Sequence, residues 1–135
     1  MGGEESGDII MEKAKIFEDL WIWQQSRELV KDIYSDFGKG TRGSRDFSFR
    51  NQIQKAGISI MNNIAEGFER KSDVEFARFL EISKGSCAEV RSMYYPAQDL
   101  DYVTEQVSME RREKVKQIAA GISSLAFHLR KQNIE

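Results

Sequence analysis

Apolar residues recur every three or four positions along most of this chain, and nowhere do they alternate singly between turn residues. That period marks helices with one apolar face rather than strands. Four segments carry it. The first covers about 20–37, with Asp19 as its expected N-cap and Gly38 closing it. Leu20, Trp23, Val30, Ile33, Tyr34 and Phe37 form its expected stripe, interrupted by the polar Arg27. The second covers about 47–68, with Phe49, Ile53, Ala56, Ile60 and Ile64 on one face. Ala56, Gly57 and Ser59 are small enough to let another helix come close. The third covers about 73–98 behind Ser72, which with Glu75 reads as a capping box. Phe76, Leu80, Ser83, Cys87, Val90, Tyr94 and Ala97 follow one another at spacings of four and three, a heptad seam. Phe79, Ile82, Ser86 and Met93 widen that seam, and Pro96 is expected to kink the last turn. The fourth covers about 104–132 behind Thr104, with Val107, Arg111, Val115, Ile118, Ile122, Leu125 and Leu129 in line. Gly121 in mid-helix costs about 1 kcal/mol relative to Ala, so a close neighbour is expected there.

Four helices with wide apolar faces and short links predict an all-α fold, an antiparallel up-down-up-down four-helix bundle. It is expected to form a single domain over 16–135, behind a flexible leader at 1–15. Residues 38–46, GKGTRGSRD, read as a flexible loop.

The chain has 135 residues, a length that fits one domain. Its net charge of −2 is unevenly placed: residues 1–19 carry −4 and residues 20–135 carry +2. The overall acidity therefore does not exclude an anionic partner. No run approaches the roughly 18 apolar residues of a membrane span, and the acidic start lacks the features of a signal peptide. A lone Cys87 excludes an intrachain disulfide, and a cytoplasmic location is expected.

Enzyme chemistry finds little to work with. Cys87 sits on the seam and His128, the chain's one histidine, lies near a helix end, so a triad or metal set is not expected from them. Bundles that hold paired iron use Glu-x-x-His motifs, which are absent, leaving Glu66, Glu81 and Glu89 isolated. GKGTRG lacks the ending of a phosphate-binding loop and follows no strand. No enzyme activity, cofactor or metal is expected.

Two basic clusters are more suggestive. Lys39, Arg42, Arg45, Arg50 and Lys55 face only Asp46, and flexible Gly/Arg segments can follow a phosphate backbone. Arg111, Arg112, Lys114 and Lys116, lying among Glu110 and Glu113, are the second set of candidate nucleic-acid-binding residues; for either cluster alone, a solvated face with i,i+3 and i,i+4 ion pairs is the plainer reading. Aromatic side chains are abundant. Trp21 and Trp23 point about 200° apart on a helix, so one is expected inside and the other against a neighbouring subunit. Trp21, Phe47, Phe49 and Tyr95 are candidate oligomer contacts.

Several segments together resemble a known family. FEDLWIWQQSRELV (17–30), NNIAEGFER (62–70), EFARFLEISKGSCAEV (75–90) and the DLDYV turn before Thr104 are similar, in this order, to the 23S rRNA intervening-sequence proteins. The matching positions are Trp23, Asn63, Ile64, Ala65, Glu66, Gly67, Glu75, Phe76, Arg78, Phe79, Leu80, Gly85, Ser86 and Glu89. The resemblance implies a left-handed four-helix bundle, commonly a homopentamer, with a poorly defined function and no catalytic set. It also implies kinship with accessory proteins that bind nucleic acid and a reverse transcriptase. Within the motif, Glu66 is expected to pair with Arg78, and Asn63 to satisfy backbone groups. The resulting expectation is a non-enzymatic oligomer that binds RNA or DNA and partners a nucleic-acid enzyme. The alternative is a structural or protein-interaction scaffold that binds no nucleic acid.

Overall fold

The computed structural model describes residues 14–134, with side chains through Gln132. Of the expected leader at 1–15, only Ala14 and Lys15 fall among the described residues. Four long helices make the fold: α1 (Trp21–Phe37), α2 (Phe47–Phe68), α3 (Asp73–Asp99) and α4 (Glu105–Ile134). Short 3-10 turns at Phe17–Asp19 and Arg42–Arg45 precede α1 and α2. No strand occurs among the described residues, so the expected all-α class holds. The principal contacts link α3 to α4 and α2, and α1 to α2 and α4, as in a bundle.

Caps form where short polar side chains meet open amides. Ser72 Oγ accepts the Glu75 amide at 3.2 Å, Thr104 Oγ1 accepts the Val107 amide at 3.1 Å, and Asp46 Oδ1 accepts the Phe49 amide at 3.2 Å. α1 differs from expectation. Its N-cap is Leu20, which contributes no side-chain bond. Asp19 instead closes the preceding turn, its Oδ2 accepting the Lys15 amide at 3.0 Å. After α3 the chain reverses through Asp101, whose φ of 61° is left-handed. Tyr102 N–H reaches Ala97 O at 2.8 Å and Asp101 N–H reaches Gln98 O at 3.0 Å, the Schellman pattern of a helix end.

The buried faces of α2, α3 and α4 follow the sequence pattern. Ile53, Ala56, Ile60 and Ile64 of α2 are buried, as is the whole α3 seam from Phe76 to Ala97, and Val115, Ile118, Ile122, Leu125 and Leu129 of α4. The aliphatic side chain of Ile82, expected to widen the α3 seam, is an exception and stays exposed. On α1 the expected stripe holds in part: Leu20 just before the helix, Ile33 and Phe37 are buried, but Trp23 and Val30 are half-buried and Tyr34 is exposed, the buried face being turned to include Ile22, Ser26 and Leu29.

Glycines explain that turn. An added Cβ at Gly57 would sit 2.6 Å from Ile33 Cδ1, and one at Gly121 would sit 2.8 Å from Ile22 Cγ2. Each glycine gives an isoleucine of α1 room to enter, and those two insertions set the rotation of the helix. Both expected close approaches, at Gly57 and Gly121, are therefore present. Among the described residues no helix is long and apolar enough to cross a membrane.

Candidate functional site

The loop from 38 to 46 is built rather than loose. Thr41 Oγ1 donates to Gly38 O at 2.7 Å, Ser44 Oγ donates to Thr41 O at 2.8 Å, and Gly43 is packed against Phe37 and Tyr102. The expected flexible loop thus contains an ordered 3-10 turn. Tyr102 ties it to the α3–α4 turn by donating its hydroxyl to Asp46 Oδ2 at 2.6 Å. That bond, with the Phe49 amide second, holds the Asp46 carboxyl below its ordinary pKa, and the same contact pushes the Tyr102 phenol up.

Around this frame the first basic cluster spreads over one end of the molecule. Lys39, Arg42, Arg45 and Lys55 are exposed. Arg42 Nη1 reaches Asp101 O at 3.4 Å, and half-buried Arg50 donates to Ser44 O at 2.9 Å while covering the Phe47 ring. Lys55 lies on a groove of about 650 Å³ between α2 and α3 with Ser48, Asn51, Ser59, Ser86 and Glu89. Between residues 38 and 65 Asp46 is the sole carboxylate.

The second cluster is arranged otherwise. Arg111 points inward across the α1–α4 seam and forks onto Asp36, Nε to Oδ2 at 2.8 Å and Nη2 to Oδ1 at 2.9 Å. Lys114 Nζ lies 3.1 Å from Asp32 Oδ2. Tyr94 donates its hydroxyl to Asp36 at 2.7 Å. Burial, reinforced by the Asp36 charge, raises the Tyr94 phenol far above its usual range. The hydrogen bond to Asp36 likewise raises Arg111. Arg112 donates to Ser108 Oγ and to the Tyr95 hydroxyl, and Lys116 stays exposed. Pairing along one helix was the sequence expectation; the observed partners of Arg111 and Lys114 come from α1.

The motif residues are mostly packing devices. Ile64, Phe76, Phe79 and Leu80 are buried, and an added Cβ at Gly67 would sit 2.8 Å from Phe76 Cδ1 and 2.8 Å from Phe79 Cβ. Asn63 donates to Ser59 O at 2.8 Å, Ser86 donates to Ser59 Oγ at 2.8 Å, and Glu89 accepts from Gln52. Ala65 is half-buried and Gly85 is exposed with open space around it. Glu66 pairs with Arg70 at 3.7 Å rather than with Arg78. Arg70 also reaches Glu75, and Arg78 lies over the Phe79 ring.

Both tryptophans pack on their own chain. Trp21 lies against Gly121, and Trp23 meets Phe17 edge-on with 5.2 Å between ring centroids. Phe49 is packed between Phe37 and Tyr102, whereas Phe47 and Tyr95 are exposed.

Cys87 is buried, and burial pushes its thiol up to about 12. Among the described residues no group of three or more His, Cys, Asp or Glu converges to hold a metal.

These features define a class: a four-helix, all-α protein stapled by an interhelical charge network and bearing a cationic loop at one end. The family described as 23S rRNA-intervening sequence protein matches residues 18–124, and the chain belongs to that family. No curated protein matches the chain. The family is not a known enzyme family.

Proposed function

We propose that this chain is a non-enzymatic, self-associating, antiparallel up-down-up-down bundle of the cytoplasm that binds RNA or DNA through its cationic loop. The observation that carries the reading is the stretch 38–65, which contains five cations and one carboxylate, Asp46, already held by Tyr102 and Phe49. Such a surface attracts phosphates without base readout and is expected to respond to salt. The topology is supported by the residue pairs. Gln52 meets Glu89 while Ile60 meets Ser83, and Tyr94 meets Ser108 while Glu81 meets Arg130. Asp36 meets Arg111 while Ile22 meets Gly121. In each case numbers rise along one helix as they fall along the other.

A homopentamer is the assembly expected from family kinship, and repetition of the loop in a ring would multiply a weak monomer patch by avidity. A nucleic-acid enzyme is the corresponding protein partner. The second reading, a scaffold that binds no nucleic acid, draws support from the exposed Phe47, Tyr95 and Phe127 and from the internal pairing of Arg111 and Lys114.

Fluorescence anisotropy with labelled 23S rRNA fragments tests the choice. Binding that weakens steeply as salt rises is expected, and absence of binding at low salt supports the scaffold. Light scattering on the same sample gives the assembly state, for which five copies are expected.

A further inference from the structure

The end of the molecule carrying the cationic loop also carries two exposed rings, each already clasped by an arginine. Phe47 is 62% exposed, with the Arg50 guanidinium 5.0 Å from its centroid. Tyr95 is 51% exposed, with the Arg112 guanidinium 4.2 Å from its centroid. Both are at the same end, because Asp46, next to Phe47, accepts from Tyr102, and Tyr102 follows the last turns of the helix that bears Tyr95.

Each arginine is itself tethered. Arg50 donates to Ser44 O at 2.9 Å, and Arg112 donates to Ser108 Oγ at 3.1 Å and the Tyr95 hydroxyl at 2.9 Å. The rings are therefore held in place before any ligand arrives, which lowers the ordering cost of using them. Exposed aromatic faces beside fixed cations, at the end of the molecule whose loop also exposes Lys39, Arg42 and Arg45, match the chemistry of an unpaired strand: bases stack and phosphates meet charge. A duplex keeps its bases stacked inside and has nothing to offer these rings. A second copy docking the same patch onto itself would bring like charges together.

We infer that the loop end binds single-stranded nucleic acid, with unpaired bases stacking on Phe47 and Tyr95. This deepens, and rests on, the nucleic-acid reading above. The test is anisotropy at low salt with fluorescein-labelled oligouridine and oligodeoxythymidine of roughly 20 nucleotides, each compared with its duplex, a length chosen to exceed common single-strand site sizes. Single strands are expected to bind more tightly than duplexes, and the two sugar types separate RNA from DNA preference. Phe47→Ala and Tyr95→Ala are each expected to weaken binding about five- to a hundredfold, whereas Phe47→Trp and Tyr95→Trp retain it. Neither alanine variant is expected to change the salt slope, because no charge is lost.

If single strands bind and the alanine variants bind equally well, the stacking inference is wrong and the cationic reading stands. If no nucleic acid binds, both fall. If either alanine variant lowers the mass seen by light scattering, its ring is a contact between copies and the inference is overturned.

Discussion

Asp36 and Arg111, 75 residues apart in sequence, meet as a fork on a fork across the α1–α4 seam, with nitrogen–oxygen distances of 2.8 and 2.9 Å. The Asp36 side chain is only 8% exposed, and the Tyr94 hydroxyl gives its carboxylate a third donor at 2.7 Å. Paired charges of this geometry are directional, so they select one register of α1 on α4.

Removing one partner strands the others. Asp36→Ala leaves the Tyr94 hydroxyl without its acceptor and Arg111 with only the looser Asp32 contact at 3.9 Å, and is expected to cost about 2–3 kcal/mol, discounted from a fully buried pair because Arg111 keeps that contact and some solvent. Urea denaturation of Asp36→Ala, Arg111→Ala and the double variant measures it. The double variant is expected to be clearly less destabilised than the two single losses added together.

Glycine positions separate crowding from helix propensity. At exposed Gly85 nothing lies within 4 Å of an added Cβ, so Gly85→Ala is expected to stabilise by about 0.5–1 kcal/mol. Gly67→Ala drives its methyl into Phe76 and Phe79, both buried, and is expected to destabilise by about 1–3 kcal/mol. Thermal melts of the two variants should therefore shift in opposite directions.

The Asp46–Tyr102 bond sets a pH window. Asp46 has a lowered folded pKa, so its contribution is present above the unfolded value and fades as pH falls through the folded one. Tyr102 has a raised folded pKa, so its contribution is present below the ordinary phenol value and fades as pH rises through the raised one. Tyr102→Phe is therefore expected to destabilise most across roughly pH 4–10 and least at the two extremes, as read from urea midpoints across pH.

Cys87 reports unfolding. It is 1% exposed and its thiol is pushed up to about 12, so thiolate is scarce and sealed at neutral pH. Its reaction with a disulfide reagent is expected to be slow in buffer and to accelerate along the urea unfolding curve. Fast labelling of the native protein would contradict the packing described here.

The α2, α3 and α4 faces were readable because each apolar stripe is a local repeat. The caps Ser72 and Thr104 were readable because a short oxygen before an apolar run has one ordinary use. The α1 face follows the expected stripe at Ile33 and Phe37 and departs from it at Ile22 and Leu29. Trp23 and Tyr34 fit the three-and-four spacing but stay half-buried and exposed, while Ile22 enters the hollow over Gly121 and Ile33 the one over Gly57. The sequence offers Phe49 as a candidate contact between copies; its ring packing against Phe37 and Tyr102 exists only in the folded chain and is not legible in the sequence.

What the amino-acid sequence determined alone is the number, length and apolar character of the helices, together with the small residues that permit close approach. These follow from backbone periodicity and capping, which act over a few residues. Tertiary structure decided the rotation of α1, the pairing of half-buried Arg111 and Lys114 with Asp36 and Asp32, and the ordering of the cationic loop by Tyr102. Those depend on which helices become neighbours, and a charge or a ring can choose its partner only once packing has brought the distant candidates within reach.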